Sequence, residues 1–221
     1  MKKITLVAIL FLITGTAFAQ WEIGIKLTPS IATNRVVAPK SFGFKSLNAK
    51  THFGGGVIAD YFFRENYAFS TGLIYNTRGA GVSYLDPNST TDQRQSDEFG
   101  IQYLEIPLSL KLYTNEIGTD MKVYFQAGGS IDPRITAKID NEKLAPNDEK
   151  YSRHFNLIDF SVLLGSGVEL QLGESTKVFG GLSYHRGLVD IDNFYEKKGQ
   201  FNNNKIAIKN TYVALDLGLK F

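Results

Sequence analysis

Seven acids and six bases of this chain fall on one parity of an alternating pattern. The acids are Glu22, Asp60, Glu105, Asp132, Asp159, Glu169 and Asp216, and the bases are Lys26, Arg78, Lys111, Lys122, Arg134 and Lys220. If that parity lines a narrow enclosed space, the charges must pair, because an unpaired charge out of water costs several kcal/mol. Two chemistries fit such a set: a structural ion-pair core, or a selectivity filter along an ion path. Glu105 and Glu169 lie near mid-strand, as do Lys26 and Asp216, and these four are the lumen ion-pair candidates. Lys26 is expected to reach Asp216 or Glu105.

A second pattern is the three histidines, His52, His154 and His185. Three His side chains are enough to hold a metal, and a His near Ser183 suggests lipid hydrolysis. Against both readings, the strand order puts His52 across from the other two, and all three read as polar residues near one rim. His185 and Ser183 also share the inward parity, whereas lipid hydrolysis needs a face open to lipid. No P-loop, G-x-S-x-G, H-E-x-x-H or dinucleotide fingerprint occurs. Gly54-Gly-Gly56 lies in a strand with no helix after it, which does not suit a phosphate cradle. The expectation is no catalytic residue, no metal and no cofactor.

The elements that carry these residues are strands. From Tyr212 to Phe221, apolar Val213, Leu215, Leu217, Leu219 and Phe221 alternate with Tyr212, Ala214, Asp216, Gly218 and Lys220. A period of two gives one oily face and one polar or small face. Eight such segments are expected, at roughly 21–28, 52–63, 67–79, 99–113, 121–133, 156–172, 176–188 and 206–221. Three connections are short (64–66, 114–120 and 173–175). Four are long and polar (29–51, 80–98, 134–155 and 189–205). This sorting of loop lengths is that of an all-β, eight-stranded antiparallel up-and-down transmembrane β-barrel, with short periplasmic turns and four long extracellular loops. An even strand number puts both termini in the periplasm. Pro107, which cannot donate to a ladder, is expected to mark a bulge in strand four.

Period alone does not say which face points inward, and a lipocalin-type soluble barrel would bury the oily one. Three features favour the inverse. The polar parity is rich in Gly, which suits a crowded lumen. Trp21, Tyr61, Phe63, Tyr67, Phe69, Tyr113, Tyr184 and Phe221 gather near strand ends, as interfacial girdles do. The last strand finishes on Phe221, which is expected to matter for insertion.

Met1-Lys-Lys, the apolar run Ile4–Ile13 and Ala17-x-Ala19 make a secretory signal peptide over 1–19, leaving a barrel domain over 20–221. No Cys occurs, so there is no disulfide, no thiolate chemistry and no lipidated Cys after the signal. The formal charge of +2 disappears with Lys2 and Lys3, leaving 22 basic and 22 acidic residues and no electrostatic case for nucleic acid. The first long loop carries Arg35, Lys40, Lys45 and Lys50 and no acid. The second carries Asp86, Asp92, Asp97 and Glu98 against Arg94. The strand order sets these loops side by side, where they either screen each other or leave the basic loop to meet lipopolysaccharide phosphates.

Strand four reads Gln102-Tyr-Leu-Glu-Ile-Pro-Leu-Ser-Leu-Lys-Leu-Tyr113. With the signal ending in Ala-Gln, the early Phe53-Gly-Gly-Gly-Val57 strand and the terminal Phe, it resembles the small outer-membrane β-barrels common in Bacteroidota, of the porin-family or PorT-like kind. The resemblance implies an eight-stranded outer-membrane barrel and no single activity, and the type IX secretion role of PorT is not carried over. The expected function is non-enzymatic: envelope structure, or adhesion or docking through the outside loops. A narrow solute or ion pore is the alternative, and a lipid-modifying enzyme is a third reading. Expected partners are outer-membrane lipid, lipopolysaccharide and the barrel-assembly machinery, with no protein partner identified.

Overall fold

The computed structural model describes residues 20–85, 93–145, 148–195 and 205–221. The expected signal peptide and its cleavage point lie outside these residues, as do Asp86 and Asp92. The strands are β1 (Trp21–Val37), β2 (Lys45–Ser46), β3 (Lys50–Arg64), β4 (Tyr67–Arg78), β5 (Gly81–Leu85), β6 (Arg94–Tyr113), β7 (Met121–Ile139), β8 (Ile158–Gln171), β9 (Lys177–Gly187) and β10 (Ala207–Lys220). Eight of them form a closed antiparallel ring in the order β6-β4-β3-β1-β10-β9-β8-β7, with β7 pairing back to β6.

The register gives the geometry. Paired residues lead from Trp21 to Tyr61, Phe69, Leu110, Ala127, Leu164, Tyr184, Val213 and then Ile31. One circuit therefore returns to β1 ten residues beyond its start. A stagger of ten over eight strands tilts them by about 40° and leaves an interior only wide enough for side chains. The terminal residue completes the ring, since Phe221 exchanges backbone hydrogen bonds with Ile23 at 2.8 and 3.2 Å.

The oily parity faces outward. Leu27 is 52% exposed and Leu164 52%, whereas Asp60 and Asp132 on the other parity are fully buried. Apolar outside and charged inside is the inverse of a soluble barrel and is the arrangement that lipid requires. Trp21, Phe63, Tyr67, Phe69, Tyr184 and Phe221 are exposed girdle residues, and Trp21 leans on Tyr61 at 5.1 Å. Tyr113 departs from the expectation, because its odd-numbered place in β6 turns it into the lumen, where it is buried.

Strands run further toward the long-loop end than expected. β1 continues to Val37, β6 begins at Arg94 and β7 ends at Ile139, while β5 and β2 occupy stretches read as loop. Above the apolar belt, past Ile31, both faces of β1 become small or polar (Ala32 and Asn34 against Thr33 and Arg35), so the alternation fades while the ladder persists. β5 keeps the register that β4 holds against β6, with Arg78 opposite Ile101 and Gly81 opposite Glu98. Between them the chain bends at Gly79, whose φ of 120° is one that other residues rarely adopt. A Cβ there would lie 2.5 Å from the Phe99 carbonyl oxygen.

Pro107 does not mark a bulge. It pairs with Ser130 in an unshifted register, and the β6–β7 irregularity falls at Gln102/Tyr103. On the β4 side the register is equally continuous from Thr71 opposite Leu108 to Ile74 opposite Glu105. The ring tolerates one missing donor without an extra residue.

Candidate functional site: a charged lumen beneath an apolar cap

Even-numbered residues of β3, β4 and β10 and odd-numbered residues of β6 and β9 point inward, so each charged side chain is aimed by the pleat alone. The tilt then decides which of them meet. At the short-turn end three lysines face three carboxylates. Lys220 Nζ contacts Glu169, Asp60 Oδ2 at 2.7 Å and Glu22 at 3.4 Å. Lys111 binds Asp60 at 2.9 Å, and Lys177 binds Glu22 at 2.5 Å and Glu169 at 3.5 Å. Ser70 donates to Asp60 at 2.5 Å, and Lys220 donates to the Tyr113 hydroxyl at 2.9 Å. The rings of Tyr113, Tyr124 and Phe179 lie 5.4–5.9 Å from the lysine nitrogens, where the face of an aromatic ring attracts a cation. Tyr124 fits only because its neighbour is glycine: a Cβ on Gly181 would sit 2.5 Å from the Tyr124 hydroxyl.

At mid-height Lys26 Nζ lies 2.9 Å from Asp216 Oδ1. The two are diagonal neighbours on adjoining strands. Lys26 is opposite Gly218, whose lack of a side chain leaves the room, and Ser30 is opposite Ala214. Thr28 Oγ1 donates to the same Asp216 oxygen at 3.1 Å. Removing Lys26 alone should destabilise the barrel by on the order of 3 kcal/mol, since it leaves a buried carboxylate unmatched. Removing Lys26 and Asp216 together should cost less than the sum of the single changes. A double-mutant cycle of urea unfolding reads this directly, and additive costs would contradict the coupling.

Nearer the long-loop end one guanidinium serves several acids. Arg78 binds Glu105 at 2.5 Å and Asp132 at 2.7 Å, between the rings of Tyr103 (5.1 Å) and Tyr212 (4.5 Å). Glu105 also accepts from the Tyr212 hydroxyl at 2.8 Å and from Asn76 at 3.0 Å. Asp159 is held by Asn210 at 3.0 Å and by the Phe160 amide at 2.8 Å. His185 is buried in this layer, stacked on Tyr212 at 4.1 Å, with Nδ1 2.7 Å from the Tyr212 hydroxyl and Nε2 3.2 Å from Ser183.

The four sequence candidates are therefore divided. Lys26 and Asp216 are together, Glu105 belongs to Arg78, and Glu169 belongs to Lys220. Lys122 and Arg134 are half-buried and outside the network, with Arg134 donating to the Asn156 carbonyl at 3.1 Å. Lys177, inside the network, was missed; extending the parity of Phe179, Ser183 and His185 by one step would have found it. The histidines are not a set. His52 bonds the Gly79 carbonyl at 2.6 Å, His154 ends the 3-10 turn Tyr151–His154 and stacks on Phe194, and His185 lies in the lumen rather than at the rim. Among the described residues no group of three or more potential ligands could hold a metal.

Above Arg78 the lumen turns apolar. Val82, Tyr84, Phe99, Ile101, Ala137, Phe155, Ile191, Tyr195, Ile206 and Ile208 form one buried cluster, drawn from strands and long connections alike. Phe44, Tyr84 and Tyr195 pack ring to ring at 5.3–5.6 Å, and both tyrosine hydroxyls donate to Asp97. Burial, and then the Asp97 carboxylate, push the Tyr195 hydroxyl above the ordinary tyrosine range. The loops also bind each other: Lys50 reaches Glu98 at 2.5 Å, and Arg94 donates to the Gly43 carbonyl at 2.6 Å. Ion pairs below and the apolar cluster above thus fill these levels of the lumen with side chains.

A family model described as an outer membrane protein beta-barrel domain matches residues 18–193. Among solved structures, Neisserial surface protein A superposes with a TM-score of 0.52 at 12% identity, over 91% of this chain and 97% of its own. OprG of Pseudomonas aeruginosa gives 0.49 at 14% identity, over 90% and 95%. Identities this low bear on the fold alone. No curated protein matches the chain in sequence.

Proposed function

Because the chain belongs to the outer membrane protein β-barrel domain family, we propose that it acts as a closed, non-conducting and non-enzymatic barrel whose working surface is its long-loop end. In this reading both termini face the periplasm and the capped end faces outside. We read the chain further as one of the small barrels of Bacteroidota, with 1–19 removed as a signal peptide. Barrel-assembly machinery would handle the terminal strand ending in Phe221, and lipid and lipopolysaccharide would surround the belt.

The observation that carries the proposal is the filled lumen. Five buried or half-buried cations are each within 4 Å of a carboxylate, and the cap packs over them. A pore would need mobile, hydrated charges there, so the solute-channel reading loses its support. The cap, by contrast, is packed onto the strand residues Phe99, Ile101 and Ile208, and loops on a rigid scaffold are where binding concentrates. Adhesion or docking follows as the class of activity.

The test is cross-linking capture from intact envelopes. The full chain is compared with a variant whose segments 86–92, 141–150 and 196–204 are replaced by short Gly-Ser linkers. The barrel should still migrate faster on a gel when unboiled, and the cross-linked partners of the full chain should be lost. An unchanged partner set would contradict a role for the capped end.

A further inference from the structure

The lipid-facing wall over β1, β10 and β9 is unlike the rest of the belt. Three rows of outward residues climb it in register. Ile31, Val213 and Tyr184 form the lowest, Thr33, Thr211 and Arg186 the next, and Arg35 pairs with Lys209 above them. Arg186 is exposed on the outer wall, opposite Val162 on its other side and flanked along the chain by Tyr184 and by Leu188 just past the strand. An arginine on this face is costly unless it lies near the interface or meets an anion. Arg35 and Lys209 stand directly opposite each other, where like charges repel. Both bend toward the end of β9: Arg35 donates to the Gly187 carbonyl at 3.1 Å and Lys209 to the Leu188 carbonyl at 2.6 Å.

No carboxylate balances them. Every acid on β1, β8, β9 and β10 has the inward parity, namely Glu22, Asp159, Glu169 and Asp216. Among the described residues none of Arg35, Arg186 and Lys209 has a carboxylate within 4 Å, although every lumen lysine on these strands does. Among the described residues the chain supplies these three cations with no anion on the outer wall.

The second observation lies just below. A groove of about 310 Å³ is cut into the same wall, lined by Pro29, Ile31, Leu182, Val213 and Leu215 with Thr51 at its upper edge. It is almost wholly apolar and opens to the hydrocarbon. The Arg35–Lys209 row stands about 13 Å along the strand above the Ile31–Val213 row, a gap that long cationic side chains narrow by reaching along the wall. Thr211 lies between, beside Thr33, whose hydroxyl bonds that of Ser46 at 3.3 Å. A ligand that fits has an acyl chain and, one headgroup distance away, an anion able to take several charged donors. A phosphate monoester does this, and arginine recognises it through paired N–H donors.

We propose that this wall binds a phosphorylated glycolipid of the lipopolysaccharide class, with one acyl chain in the Ile31–Val213 groove and a phosphate held by Arg35, Arg186 and Lys209. The inference rests on the membrane placement above but not on the closed lumen, so conductance does not bear on it.

Native mass spectrometry of the full chain released from detergent micelles tests it. The probes are bis-phosphorylated lipid A, the same lipid A without phosphates, and phosphatidylglycerol. The phosphorylated form should be retained at about tenfold lower concentration than either other lipid. Arg186→Gln with Lys209→Gln should bring it down to the level of the dephosphorylated form. Val213→Trp, which fills the groove and leaves the cations, should weaken both forms of lipid A. These residues face lipid, so faster migration of unboiled protein should persist in each variant, and the single change Arg186→Gln gives the same reading at smaller amplitude. Equal retention of the two forms of lipid A, an unaltered preference in the Arg186 variants, or equal retention of phosphatidylglycerol would overturn the proposal.

Discussion

Arg78→Met should lower the stability of the barrel by about 3–5 kcal/mol, the usual result of removing one partner from a buried ion pair. Arg78 is 1% exposed and is the cation that Glu105 and Asp132 share. Its loss leaves two carboxylates enclosed by Tyr103, Tyr212 and the cap, with Asp159 in the same layer. Methionine keeps much of the volume, so the effect reads the charge rather than a cavity. Adding Glu105→Gln and Asp132→Asn to Arg78→Met should recover most of the loss, because a buried charged network can be replaced by neutral groups at little net cost. Urea unfolding of the barrel in lipid vesicles measures all three proteins. A single variant within about 1 kcal/mol of the native chain, the value of an exposed pair, would mean that this layer is wet and loosely held.

Much of the barrel could be read from the chain because hydrocarbon enforces a strict period of two. Ile23, Ile25 and Leu27 must face lipid, so Glu22, Gly24 and Lys26 must face in. The strand ends were less legible. At Ala32–Arg35 and Arg94–Glu98 the strand is leaving the hydrocarbon, neither face need be oily, and the ladder continues under a sequence that resembles loop. The sheet position of Pro107 was visible, but its bulge was not required, because an eight-membered ring can lose one donor without shifting register.

The candidate site was legible in parity and illegible in pairing. Parity put Lys26, Glu105, Glu169 and Asp216 on one face. Which charges meet depends on a stagger of ten residues, which no local pattern reveals. That stagger carries Lys220, one residue from the C-terminus, onto Asp60 and Glu169. The apolar cap had no local signature at all. Val82, Phe155, Ile191 and Tyr195 come from polar stretches that each contribute one or two side chains, and only the closed ring brings them onto Phe99, Ile101, Ile206 and Ile208. Arg35 reads as a cation of the first long loop, and its grouping with Arg186 and Lys209 was hidden for the same reason, since the three sit on different strands.

The central claim is that the lumen is filled and sealed, and single-channel recording in planar bilayers tests it most directly. The refolded full chain should insert, judged by its faster migration when unboiled, and pass no current steps in concentrated KCl at either polarity. The expectation follows from Lys26–Asp216, Arg78–Glu105–Asp132 and the Lys220 cluster each closing one level of the interior, with the cap above them. Reproducible steps, with an ion selectivity that changes on Lys26→Gln or Glu105→Gln, would contradict it and make the same charges a filter.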